Sequence, residues 1–209
     1  MDVGSGRICL LLWSGMGAVM TVSTIGHSTH PIEEFIGMLQ AHGIRCLVDV
    51  RTIPKSRRNP QFTKEDLAKS LQNAGIPYRH LPGLGGLRHP RKDSTNTGWR
   101  NASFRGYADY MQTPEFDENL RNLITIASGA PTAIMCAEAV PWRCHRSLIA
   151  DALLARGIPV LEILSATKSQ PHTITPFAKV EGQRVIYPAA KGSPDERGSV
   201  DLPLFRQLE

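Results

Sequence analysis

Two thiols, an imidazole, a carboxylate and two guanidiniums fall within one run of eleven residues, Cys136-Ala-Glu-Ala-Val-Pro-Trp-Arg-Cys-His-Arg146. Apolar packing does not call for such a density of polar groups, and three kinds of chemistry use it. A thiolate at Cys136 would be a nucleophile, since nearby arginines and a helix N-terminus both lower thiol pKa values. Cys136 is expected to be the more reactive thiol, because it sits in the turn whereas Cys144 enters the following helix. Arg143 and Arg146 would hold an anion, with Glu138 beside them as an acid or base. Cys136, Cys144 and His145, with Glu138 or His27 as a further ligand, could instead bind zinc or iron, although no paired C-x-x-C or H-x-x-x-H spacing supports it. The bland alternative is two buried thiols, with Glu138 paired to an arginine at the surface.

These residues need a strand before them and a helix behind them, and the flanking sequence supplies both. Pro131-Thr-Ala-Ile-Met135 reads as a buried strand, and Ser147 to Gly157 as an amphipathic helix closed by glycine. The same alternation runs along the chain. Thr21–Ile25 is a first strand, and Pro31 opens a helix with apolar face Ile32, Phe35, Ile36 and Leu39. Ile44–Val50 is a second strand, Thr63 caps a second helix ending at Gly75, and Pro77–Leu81 is a brief third strand. Residues 82–103, rich in Gly, Pro, Asn and Arg, lack periodicity; a connection that long is usually a functional loop. Helices at about Phe104–Met111 and Pro114–Ser128 follow, and Pro159–Leu164 is a last strand. Phe177–Val180 and Arg184–Tyr187 form a small hairpin. The pattern predicts an α/β fold: a mostly parallel sheet with helices on both faces, a Rossmann-like three-layer sandwich with a small C-terminal extension.

In such sheets ligands bind beyond the carboxyl ends of the strands. Strand one ends at His27, strand two at Asp49 and Arg51, and the fourth at Cys136 and Glu138, so these groups are expected on one rim as a candidate catalytic set. Singly, His27 could cap a helix and Asp49 could anchor Arg51; jointly, three strands ending in idle polar groups is the weaker reading.

Charge adds an anionic partner. Residues 51–105 hold twelve Lys/Arg against three Asp/Glu, a net of +9, whereas the rest of the chain holds twelve against sixteen, a net of −4. Arg51, Arg57 and Arg58 open this belt, and Trp99, Phe104 and Tyr107 are interleaved with it as possible stacking surfaces for bases. The expected partner is an anionic small molecule or a nucleic acid. A solvated basic face is the alternative.

Four cysteines in 209 residues do not make a disulfide framework, and a reducing cytoplasm is expected. Ile8–Trp13 is a six-residue apolar patch broken by Ser14-Gly15, far short of the roughly 18 residues of a membrane span. Residues 1–19 are expected to be a leader or to precede a true start at Met20, residues 20–188 a single domain, and 189–209 a flexible tail.

Several of these segments occur together elsewhere. Thr24-Ile-Gly-His-Ser28, Leu47-Val-Asp-Val-Arg51, the Pro54–Phe62 basic loop, Leu84-Gly85-Gly86 and Cys136-Ala-Glu with Cys144-His-Arg146 resemble domain of unknown function 488 (DUF488), over roughly residues 21–188. The resemblance implies a bacterial-type α/β protein and carries over no reaction and no catalytic residues. A nucleophilic cysteine at a strand-to-helix turn also resembles that of tyrosine phosphatases and rhodaneses. Here the match is imperfect: six residues separate Cys136 from Arg143, one more than in that cradle, and Pro141 removes an amide. The expectation is therefore an enzyme-like site, a thiolate- or metal-dependent hydrolase or transferase acting on a phosphate-containing or other anionic substrate. A binding module without catalysis and a Cys/His metal protein stand as alternatives, and no cofactor is required by the sequence.

Overall fold

The computed structural model describes residues 20–189, so the expectations for residues 1–19 and for the tail from 190 onward lie outside the described residues. Eight strands and five α-helices follow one another: β1 (Val22–Gly26), α1 (Ile32–Ala41), β2 (Cys46–Asp49), α2 (Lys64–Asn73), β3 (Tyr78–His80), α3 (Ala102–Tyr110), α4 (Pro114–Gly129), β4 (Thr132–Cys136), α5 (Arg146–Leu154), β5 (Val160–Ser165), β6 (Lys168–Pro171), β7 (Lys179–Glu181) and β8 (Arg184–Ile186). Six strands make one sheet in the order β3-β2-β4-β1-β5-β6. The first five run parallel, and β6 returns antiparallel along β5. Ending the sheet at β5 is thus corrected: Ser165 to Lys168 is a tight reversal, and polar, exposed Lys168–Pro171 carries no apolar alternation to announce a strand. The hairpin of β7 and β8 forms as expected.

Alternate residues of each strand serve opposite faces. Ile25, Leu47, Ala133 and Met135 pack with Phe35, Leu39, Leu67 and Leu71 of α1 and α2. Val22, Val48, Ile134 and Val160 pack with Tyr107, Phe116, Leu120, Leu123, Ile149 and Leu153 of α3, α4 and α5. Burial on both faces explains why these strands read as continuous apolar runs. Caps set the helix starts: the Thr63 hydroxyl accepts from Asp66 N, Asn101 Oδ1 from Ser103 N, and the Thr113 hydroxyl from Phe116 N. Among the described residues no helix is long and apolar enough to cross a membrane.

A network at the C-terminal end ties the late segments to this sheet. Asp151 on α5 is fully buried; its carboxylate accepts from Thr175 N and Oγ1 and from Tyr187 Oη, and pairs with His172 Nε2 at 2.8 Å. His172 Nδ1 meets Glu162 of β5 at 2.8 Å. Burial alone would lower the His172 pKa, but the two carboxylates raise it to about 9.

Candidate active site

Three strand ends meet where the sheet opens. Gly26 of β1 lies opposite Cys136 of β4, and the ladder continues past both: His27 N donates to Cys136 O and Ser28 N to Ala137 O, each at 3.0 Å. The chain after β4 folds back so closely over β1 that a Cβ on Gly26 would collide with the Glu138 carbonyl. Only glycine fits there. Ser28 turns the chain away with a φ of 46°, in the left-handed region.

β2 contributes Asp49 and Arg51, which turn out to be one unit. Arg51 Nε donates to Asp49 Oδ1 at 2.9 Å and NH2 to Oδ2 at 2.6 Å, while the Arg51 amide donates to Oδ1 and Tyr78 Oη to Oδ2. Asp49 is wholly buried and stands behind Arg51, so its carboxylate orients the guanidinium and has no open side toward the cleft. Arg51 NH1 donates onward to His27 Nε2 at 3.3 Å, and His27 Nδ1 donates to Ser28 O at 2.8 Å. His27 is 2% exposed and stacked on Phe62 with ring centroids 4.1 Å apart. Burial, followed by the Arg51 charge, lowers its pKa to about 4, against the pull of its bond to Ser28 O. A neutral His27 with both ring nitrogens occupied positions Arg51.

The cysteine end is built by β4, a short 3-10 turn at Pro141–Arg143, and α5. Arg146, the first residue of α5, is 1% exposed. Its Nε donates to Cys144 Sγ at 3.4 Å, NH1 to Thr24 Oγ1 at 3.4 Å, and NH2 closely to the Glu138 carbonyl. His145 Nδ1 lies 3.7 Å from Cys144 Sγ, and its Nε2 is 3.3 Å from Val50 O. The sulfurs of Cys136 and Cys144 and one ring nitrogen of His145 all lie within 4.8 Å of one another, making this, among the described residues, the set that could hold a metal. Burial would raise the Cys144 pKa, but the Cys136 hydrogen bond, His145 and Arg146 outweigh it and hold the thiol well below its ordinary value. Cys136 goes the other way: its hydrogen bond to Cys144 and its burial push it well above. Cys136 was expected to be the more reactive thiol, yet Arg146 and His145 make their contacts to the sulfur of Cys144.

A cleft of about 1100 Å³ opens above these groups. Its walls carry five cationic side chains, Arg51, Lys55, Arg58, Arg88 and Arg143, against one acid, Glu138. Glu138 Oε1 accepts from Val140 N at 3.2 Å and so braces the turn. Arg57 lies outside this cleft, in a smaller neighbouring depression with Arg58. The long loop runs along the cleft through Gly86–Pro90, where Arg88 is held over the Tyr110 ring at 3.5 Å. Gly86 was legible only as part of a motif; its reason is close approach, since a Cβ there would lie 2.6 Å from His145 Nδ1. The reading of the aromatics as stacking surfaces is corrected for two of them. Tyr107 is fully buried and donates to Leu84 O, and Trp99 is packed among Phe104, Phe177 and Tyr187; only Phe104 lines the cleft.

The family model described as "Domain of unknown function DUF488" matches residues 31–153, more than half of the chain. The chain belongs to the DUF488 family. The match takes in Asp49, Arg51, Cys136, Cys144, His145 and Arg146, and stops short of His27 on the N-terminal side. No curated protein and no solved structure matches the chain.

Proposed function

We propose that the cleft binds a small phosphate-containing or other anionic substrate and acts on it at the Cys144–Cys136–His145 end, as a hydrolase or transferase. The excess of five cationic side chains over one acid along the cleft carries this reading. Arg51 and Arg146 supply preorganised charge, since each is fixed by buried partners and needs no reordering when an anion arrives. Lys55, Arg58 and Arg143 are exposed at the lip and are suited to capture. The N-terminus of α5 adds its partial positive charge below the thiols. Free thiols at Cys46, Cys136 and Cys144 support a reducing, cytoplasmic setting.

A nucleic-acid partner draws less support. Outside the cleft, part of the basic belt is committed locally: Arg91 pairs with Asp93 and Arg105 donates to Trp99 O. Calorimetric titration with inorganic pyrophosphate tests the reading. The Arg58→Ala/Arg143→Ala variant removes two exposed charges, and its affinity is expected to fall at least about tenfold, one charge-assisted hydrogen bond being about 1.5–3 kcal/mol. Equal affinity in wild type and variant would remove the cleft as the anion site. In parallel, Lys55→Ala/Arg57→Ala/Arg58→Ala should leave the salt dependence of duplex DNA binding unchanged. A log–log slope shallower by about 0.9 per lost contact would favour nucleic acid instead.

A further inference from the structure

We infer that Cys136, Cys144 and His145 form a three-ligand site for one zinc-class divalent ion, with the fourth coordination position facing the cleft. This deepens the reading above by naming what lies at the reacting end; metal binding itself is argued without reference to any anion.

Four observations carry it. First, the spacing fits. Bonds of about 2.3 Å to sulfur and 2.0 Å to nitrogen at tetrahedral angles put ligand atoms roughly 3.5–3.8 Å apart. Cys144 Sγ and His145 Nδ1 are 3.7 Å apart, and the third donor is within 4.8 Å of both. Second, the imidazole has the required tautomer. His145 Nε2 faces the Val50 carbonyl, which can only accept, so Nε2 bears the proton and Nδ1 turns its lone pair toward the sulfurs. Metal-bound histidines characteristically donate their other nitrogen to such an outer partner. Third, Arg146 Nε points at Cys144 Sγ from the side away from solvent, an N–H···S bond that suits a coordinated thiolate. Fourth, the cleft lining includes all three residues, which leaves one side of the cluster accessible.

The charge balance also closes. Each thiol releases its proton to solvent as its sulfur bonds the ion, so two thiolates and a divalent cation sum to zero. The arginines then remain as the net positive charge of the cleft. Three protein ligands with an open position is the pattern of catalytic rather than structural zinc.

The test uses the full chain, reduced and stripped of metal, titrated with Co²⁺ alone. The expected result is one Co²⁺ per chain, with tetrahedral d–d bands and thiolate-to-cobalt charge transfer, and full displacement by Zn²⁺. Cys136→Ser and Cys144→Ser should each remove part of the charge-transfer band and weaken binding at least tenfold, while Cys46→Ser should leave the spectrum unaltered. Should a serine variant fail to fold, wild-type protein decides the matter, because Zn²⁺ should protect two thiols, Cys136 and Cys144, from alkylation. No tetrahedral spectrum, no protection, or a spectrum surviving in Cys136→Ser/Cys144→Ser would overturn the site. Inorganic phosphate added to the Co²⁺ form should shift the d–d bands. A stable Co²⁺ spectrum that phosphate leaves unmoved would sink the anion reading and leave the metal site standing.

Discussion

Asp49 and Arg51 form a closed pair at the end of β2: Nε reaches Oδ1 at 2.9 Å, NH2 reaches Oδ2 at 2.6 Å, and Tyr78 Oη seals the remaining side at 2.8 Å. Asp49→Ala would leave a buried guanidinium without its counter-charge. Breaking one half of a buried pair costs about 3–5 kcal/mol, more than replacing both halves with apolar residues. Urea unfolding of Asp49→Ala should show that loss. Asp49→Leu/Arg51→Met should recover much of the stability and still fail to bind pyrophosphate. If the double variant binds normally, Arg51 is structural and not an anion ligand.

The two thiols should separate when metal-free protein is alkylated over a range of pH. Cys144 is expected to react below the roughly 8.5 of a free thiol, and Cys136 only well above it. Arg146→Met removes a positive charge from the thiolate, so the Cys144 profile should move to higher pH. Coincident profiles for Cys136 and Cys144 would contradict the assignment.

The rim was visible in the sequence because its members terminate strands. An apolar run followed by His27, Asp49 or Cys136 marks the point where the chain leaves the sheet, and parallel strands deliver all such points to one edge. Other assignments depended on remote partners. Nothing local distinguishes Arg146, sealed beneath the cleft by Thr24 and Glu138, from exposed Arg143 three residues earlier. Asp49 reads as a catalytic carboxylate until Tyr78, twenty-nine residues away, is seen to occupy it. β6 escaped notice because an edge strand with both faces wet needs no hydrophobic period. Trp99 and Tyr107 resembled a stacking platform because aromatic residues near arginines look alike whether they face a ligand or the core.

Raising the pH should weaken the fold through His172. Its folded pKa of about 9 exceeds the ordinary 6.5, so the charged ring stabilises the protein fully below about pH 6.5, and this contribution disappears as pH rises through 9. The whole effect is about 3–4 kcal/mol. Thermal unfolding of wild type should decline across that window, and His172→Gln should be less stable at pH 6 but flatter. Parallel curves for the two proteins would show that the ring is uncharged.

Gly86→Ala is expected to disturb His145 in particular. The added methyl lands 2.6 Å from Nδ1, and a ring that gives way to it must leave Val50 O. Overpacking of this size costs about 1–3 kcal/mol. The low-pH alkylation of Cys144 should diminish, because His145 helps hold that thiol down. Unchanged alkylation would mean that the loop yields instead of the ring.

The family match ends at Leu153, two residues after Asp151, yet the partners of that buried carboxylate all come from His172, Thr175 and Tyr187. During synthesis α5 therefore leaves the ribosome carrying a charge that its final position cannot accommodate. Until Tyr187 has emerged, docking α5 against β4 and β5 means burying Asp151 without its full set of partners, which is strongly unfavourable. The cleft floor, which hangs on the first turn of that same helix, is completed only by chain made after it. Nascent chains arrested short of Tyr187 should remain open to protease at α5 while released chains resist.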